Sequence, residues 1–416
     1  MPGKPQRRVL LELLSAALAA VDGRGCTRAA LAQRRPELAA SAARFCVFAV
    51  GKAAAHMALG AHDALGDLIE RVLIVTKDGH AGRETACLPH LEICESSHPV
   101  PDERSLAAGS RLLASLEAMP AGARPLFLIS GGASSLIEVL AHGVTLEQLR
   151  EFNAWALASG IEIGELNRRR GTLSQIKGGR LAARVRGRGA LALFISDVPG
   201  DDPALIGSGL MGPAPAGGAG PDDVERRVVA SIDVALAAAR ARAGALGVRA
   251  AAARFGGDAE RLAVRFAHEL QLSPQPLCLW GGESVVRLAA DPGRGGRNQH
   301  LALAAARLIA GYDELYLLAA GTDGTDGPTE DAGGLVDGQT CARAASAGYD
   351  VEEALRRCDT GSVLEATGDL LHTGPTGTNV GDLVLGLKLS ETDARAWLNA
   401  AQPTLTPRPH AATGHR

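Results

Sequence analysis

The densest run of chemistry-bearing side chains is "AAGTDGTDGPTEDAGG", residues 319–334. Asp323, Asp326, Glu330 and Asp331 crowd into it, spaced by glycines and threonines, with no Lys or Arg among them. The run follows "LYLL", which reads as a buried strand. Carboxylates at a strand tip with no local counter-charge call for a divalent cation that takes oxygen ligands and bridges to a phosphate. Asp323 and Asp326 are thus expected to help hold Mg²⁺. The spacing of Asp323, Asp326 and Glu330 does not fit an EF-hand loop.

In open α/β sheets, ligands bind beyond the carboxyl ends of the strands, so the residues after each strand are the next candidates. After "FCVFAV" (45–50), Gly51 delivers Lys52, a point charge for a phosphate or carboxylate. After "PLFLIS" (125–130), Gly131, Gly132, Ser134 and Ser135 open a helix. Its free N–H groups suit an anion, and the glycines let the backbone approach it. After "LALFIS" (191–196) comes Asp197, a base or a metal ligand. In the second half, "CLWGGES" ends a strand at Gly281, Gly282 and Glu283. "GRGGRNQH" (293–300) brings Arg294 and Arg297, followed by Asn298, to a helix start, where an arginine can fork onto phosphate or carboxylate. "HTGPTGTNVGDLVLGL" (372–387) offers a Thr/Gly nest containing Thr376, Gly377 and Asn379. "GSGLMG" (207–212) matches the dinucleotide fingerprint formally but follows no strand and runs into a Pro/Gly stretch, so it is a decoy. There is no Walker A motif. Anion loops, a lysine, an arginine and unneutralised aspartates together read as nucleotide-dependent phosphoryl transfer with ATP and Mg²⁺.

The elements that must position these residues are legible. Short apolar runs, including "RVLIVT" (71–76) and "LEIC" (91–94), alternate with amphipathic helices such as "DERSLAAGSRLLASLEAM". That alternation implies an α/β fold with a parallel sheet and helices on both faces. "GPAPAGGAG" (212–220) separates an N-terminal Rossmann-like domain, 1–220, from a C-terminal mixed α/β domain, 221–400. The second opens on a long helix over "PDDVERRVVASIDVALAAARARAGALG" and contains "VRAAAARF", "PLCLW", "ESVVRLA", "LYLLAA" and "DLVLGLKL" as strands. Residues 401–416 read as a loose tail. The chain of 416 residues is 46% hydrophobic but only 3% aromatic, so its cores are aliphatic. A net charge of -3 excludes a broadly basic nucleic-acid binder. Seven scattered cysteines at no metal spacing fit a reducing cytosol. The N-terminal apolar run is interrupted by Glu12 and periodic at Leu10, Leu11, Leu14, Ala17 and Leu18, so it is an amphipathic helix rather than a signal peptide. No stretch approaches the ~20 residues that span a bilayer. A cytoplasmic protein without membrane or nucleic-acid partners is expected; a homodimer stays open.

"VGKAA", "SSHPVPDERS", "ISGGASSL", "LSQIKGGRLA", "SDVPGDDPALIGSG", "GGES", "GGRNQHLAL", "GTDGTDGPTEDAGG" and "TGPTGTNVGDL", in this order, resemble the two-domain glycerate 2-kinases, whose C-terminal domain is called MOFRL. The resemblance covers roughly residues 10–390. It implies ATP- and Mg²⁺-dependent phosphorylation of D-glycerate at the 2-hydroxyl, in a cleft between two α/β domains, with Lys52 and Arg297 in the cleft. It also implies that Arg170 binds ATP or substrate. The family usually reads Arg-Lys-His before Leu-Ser; here the stretch is Arg170, Gly171, Thr172, so a Lys and a His are missing. Two rivals remain at this stage: an NAD(P)-dependent hydroxypyruvate reductase, and a non-catalytic ligand-binding relative.

Overall fold

The computed structural model describes residues 4–40, 43–159, 163–213 and 222–400. The expected linker at 212–220 falls almost wholly outside them, and the expected tail at 401–416 entirely so.

Two six-stranded sheets organise the chain. The first contains β1 (Phe45–Val50), β2 (Ile69–Lys77), β3 (Leu91–Ser96), β4 (Arg124–Ile129), β5 (Leu191–Ile195) and β6 (Glu225–Ala230). Their order is β3-β2-β1-β4-β5-β6, and every pair is parallel. β1 shows why its sequence is continuously apolar. Phe45, Val47 and Ala49 enter one core, while Cys46, Phe48 and Val50 enter another across the sheet. A parallel sheet covered on both faces requires this. The second sheet contains β7 (Ala250–Asp258), β8 (Leu277–Val285), β9 (Leu315–Gly321), β10 (Gly333–Asp337), β11 (Leu370–Leu371) and β12 (Asp382–Lys388), in the order β11-β10-β9-β12-β8-β7. Only β7–β8 is parallel; the other pairs are antiparallel, so this sheet is mixed, as expected.

Two expectations are corrected. The long helix over 221–247 is a strand, β6, followed by the helix Ile232–Ala245. Pairing with β5 from Leu191↔Glu225 onward outweighs local helical pattern in "ERRVVA". "PLCLW" and "ESVVRLA" are not two strands broken at Gly281. β8 runs straight through the glycines, paired on both sides. β10 and β11 went unnoticed because "GGLVD" and "LL" are too short and glycine-rich to show a period.

The 1–220 grouping also differs from the spatial one. β6 extends the first sheet past 220. The helix Pro5–Ala20 packs on Ile232–Ala245 and Glu391–Ala400 in the second lobe. Its buried Arg7 donates to Asp369 at 2.8 Å. One core cluster takes residues from both sheets, from Val47 and Leu128 to Leu318 and Leu385. The lobes are therefore joined through a shared apolar layer. Among the described residues, no helix is long and apolar enough to cross a membrane.

Candidate active site

The carboxyl ends of the first sheet converge as the strand-tip argument requires. Gly51 has φ +129°, and a Cβ there would lie 2.2 Å from Ser130 Oγ, so only glycine makes this turn. The next amide, Lys52 N, donates to Gly131 O at 3.0 Å, and Ala53 N donates to Ser130 Oγ at 3.0 Å. The turns after β1 and β4 are thus zipped together. Gly132 has φ +87°; a Cβ on it would meet Lys52 Cγ at 3.1 Å and His98 Cδ2 at 3.3 Å. A Cβ on Gly131 would sit 2.1 Å from both Asp197 Oδ2 and Asn379 Nδ2. Lys52, His98, Asp197 and Asn379 therefore surround one side-chain-free turn.

Arg170 reaches the same region. It donates to Ser208 Oγ at 3.1 Å and Asn153 Oδ1 at 3.3 Å, and Ser134 Oγ lies 2.8 Å from Ser208 Oγ. No carboxylate pairs with this guanidinium among the described residues, and burial pulls it below the usual arginine value. Ser135 instead donates to Gly132 O at 3.3 Å, a turn-stabilising bond.

The second lobe contributes a different kind of surface. Lys52 Nζ reaches across to Asp323 Oδ2 at 2.6 Å. Asp323 Oδ1 accepts from Thr325 N at 2.9 Å. Burial alone would raise this carboxyl, but Lys52 and the Thr325 donors outweigh it and hold it below the usual carboxylate value. Asp326 faces the start of the helix Arg297–Leu308. Its Oδ1 accepts from Asn298 N at 3.0 Å and its Oδ2 from Gln299 N at 2.8 Å. Burial is the larger influence there and, with Asp382 nearby, pushes Asp326 up to about 7. Arg297 is clamped: Nε lies 2.9 Å from Asp382 Oδ2, Nη2 3.0 Å from Asp382 Oδ1, and Nη1 2.5 Å from Glu283 Oε1. Burial opposes its charge, but Asp382 and Glu283 overcome that and hold the guanidinium firmly protonated.

These contacts revise the metal assignment. Asp197, Asp323 and Asp326 do not gather into one ligand set; among the described residues no three His, Cys, Asp or Glu side chains do. Asp326 spends both oxygens on the N–H groups of a helix start, so it caps rather than ligates. The acidic loop does have counter-charges, supplied from far along the chain. Lys52 serves Asp323, while Arg294 serves Asp331 at 3.0 Å; the His372 ring also lies 2.7 Å from Asp331. Asp197 is different. By surface area it is half-buried, yet protein surrounds its carboxyl. That crowding, with Glu283 nearby, pushes it up to about 7, and its hydrogen-bond partner is Asn379 Nδ2 at 3.4 Å.

Other expected ligand-binding residues make packing or hydrogen-bond contacts within the protein. A Cβ on Gly281 would strike Ile232 Cγ1 at 2.5 Å, so this glycine lets a helix close on β8. Gly377 accepts from Gly23 N at 3.1 Å, and a Cβ on it would lie 2.0 Å from His56 Nδ1; it joins the lobes. Thr376 Oγ1 donates to Thr322 O. Asn298 Nδ2 bridges Asp326 at 3.2 Å and Asp382 at 3.0 Å.

Several residues near the site escaped the sequence reading. Lys77 ends β2, and His80 lies beside the Lys52 backbone. Asp382 anchors Arg297. Lys177 and Glu138 form a fully buried pair at 2.5 Å, with Lys177 Nζ also donating to Ser134 O at 2.7 Å. The strand-tip rule could have found Lys77. Nothing local marks a buried pair whose members lie on different segments.

Family models match two stretches of the chain: a domain of unknown function, DUF4147, over residues 9–235, and the MOFRL family over residues 276–382. D-glycerate 2-kinase of Thermotoga maritima is 37% identical over 381 residues, covering 83% of this chain and 90% of that one. A putative hydroxypyruvate reductase of Agrobacterium vitis is 35% identical, covering 82% and 98%. A crystal structure of glycerate kinase from Thermotoga maritima superposes with a TM-score of 0.79 at 34% identity, covering 92% of this chain and 99% of that one.

Proposed function

The chain belongs to the glycerate 2-kinase family, and from that membership we propose that it transfers the terminal phosphoryl group of ATP to the 2-hydroxyl of D-glycerate, giving 2-phosphoglycerate and ADP. The observation that carries this reading is the turn at Gly131 and Gly132, free of side chains and ringed by Lys52, Asp197 and Asn379. Phosphoryl transfer asks a protein mainly for positioning and charge stabilisation, and this ring offers both.

The residues fit nucleotide phosphates. A Cβ at Gly131 would fill the space beside Asp197, and Arg170 has only neutral partners among the described residues. Lys52, fixed by Asp323, is a point charge for the transferring group. They also fit Mg²⁺. This ion takes one or two carboxylates and fills its shell with phosphate oxygens and water, so Asp197 beside Asn379 suffices without a triad. When bound, Mg²⁺ offsets phosphate charge. Arg297 acts through its clamp, holding Glu283 and Asp382 in place at the second lobe's edge.

The reductase reading lacks a comparable observation. Gly207 and Gly209 lie in a short turn after residue 205 rather than behind a strand, and Gly207 packs against Ala133 and Ile129. A coupled ADP-release assay with Mg²⁺ and ATP across small hydroxy acids tests the proposal. D-glycerate should release ADP and yield the 2-phosphate. Only 3-phosphoglycerate as product, or no ADP with any hydroxy acid, overturns it.

A further inference from the structure

Beside Lys52, two groups of the first lobe face the cleft without a partner. Lys77, the last residue of β2, is half-buried and forms no ion pair among the described residues. β2 pairs with β3 through Lys77↔Ser96, which sets Lys77 two residues from His98 along the neighbouring strand; the charged groups that act on it include Lys52, Asp323, Asp78 and Glu330. Two of these carboxylates are taken: Asp323 by Lys52 at 2.6 Å, and Asp78 by Arg104 at 2.7 Å. His98, just beyond β3, is half-buried against Gly132 and has no hydrogen-bond partner among the described residues. We infer that Lys77 and His98 form the subsite for the hydroxy acid, with Lys77 receiving its carboxylate and His98 hydrogen-bonding a hydroxyl. This rests on the kinase reading above.

The chemistry separates the two ligands. A polyphosphate presents only acceptors, and the donors that match it are the 131–132 turn, which His98 borders on one side, and Arg170 with its serine partners. A hydroxy acid presents an anion and, within a few ångströms of it, hydroxyls that both donate and accept. A cation beside a neutral imidazole is the complement of that pair, since one ring nitrogen accepts while the other donates. Burial first, then the Lys52 and Lys77 charges, push His98 down to about 3, which keeps its ring neutral. Asp323 and Glu330 act on the same corner. A monoanion tolerates them better than a second highly charged phosphate chain would.

Calorimetric titration of the full chain with D-glycerate, and separately with ATP, tests this without requiring turnover. Lys77→Met keeps the aliphatic stem and should weaken D-glycerate binding at least ~10-fold, the size of a lost charge-assisted hydrogen bond. ATP affinity should stay within about threefold. His98→Leu should act in the same direction, and His98→Gln should recover part of the loss. If a variant fails to melt cooperatively, Lys77→Gln or His98→Asn carries the same test. A loss that falls on ATP, no change for either ligand, or wild-type protein that does not bind D-glycerate overturns the subsite. Wild-type protein that binds D-glycerate but releases no ADP overturns the kinase reading alone.

Discussion

The two lobes meet the cleft with surfaces that treat charge in opposite ways. On the first, the polar groups at the strand tips are under-satisfied. Among the described residues Lys77 has no ion pair, the 131–132 turn carries no side chain, and Arg170, on the neighbouring helix Ile163–Thr172, has only neutral partners. On the second, nearly every charge is already answered: Arg297 by Asp382 and Glu283, Arg294 by Asp331 and Glu365, Asp326 by a helix start. A parallel sheet delivers all its strand ends to one edge, where a ligand can complete them. A mixed sheet does not, and its loops satisfy one another. On the proposed reading the first lobe is the one left to receive ligand, and the second, already paired, lends it Asp323 and Asn379.

The contrast can be broken most directly at the one ion pair that spans it. Lys52→Ala should lower turnover by at least ~100-fold. It should also lower the melting temperature, because Asp323 is left buried without its partner. Adding Asp323→Asn should restore melting but not turnover. Recovery of both, followed by ADP release and thermal melts, would return Lys52 to a purely structural role.

The next test compares two arginines. Arg297→Ala removes the cation paired with Asp382, which is fully buried and keeps only neutral donors, and should cost about 3 kcal/mol of stability. Arg170→Ala orphans no carboxylate. It should leave stability within ~1 kcal/mol while weakening ATP binding roughly tenfold or more. The reverse pattern in urea melts and titrations would exchange the roles of the two lobes.

Asp323 and Asp326, three residues apart, sharpen the comparison through pH. Asp326 sits at about 7, above its unfolded value of 3.8. The native state therefore retains a proton that the unfolded chain has lost. This contribution is full below the unfolded value and fades as pH rises toward 7. Asp323 is depressed, so its contribution is present above 3.8 and is lost as pH falls below that. Urea melts at pH 5 and pH 8 should show the wild type losing up to ~2 kcal/mol that Asp326→Asn does not lose. Equal losses in both would show that Asp326 stays ionised.

The smallest effect is expected at Thr172, where the family resemblance implies a histidine. Thr172 is exposed, and its hydroxyl donates to Arg169 O at 2.7 Å. Thr172→His should leave the KM for D-glycerate within about twofold. A larger change would mean that this helix end moves into the cleft when ligand binds.

The sequence alone determined the parallel sheet, its strand tips and the residues placed there, because apolar runs and glycine turns are local signals. "VGKAA" and "ISGGASSL" announced Lys52 and the 131–135 turn. Partnership was beyond it. The acidic loop looked uncompensated because its counter-charge, Lys52, lies 271 residues away along the chain. Asp326 looked like a metal ligand because the helix start that it caps is another segment. Gly281 looked like a ligand loop because the helix packed against it is remote. "ERRVVA" became a strand only because β5 offered it an edge. Charge, burial and pairing are set by what folding brings together. The tertiary structure therefore decided which of the legible residues were already satisfied and which still lacked a partner.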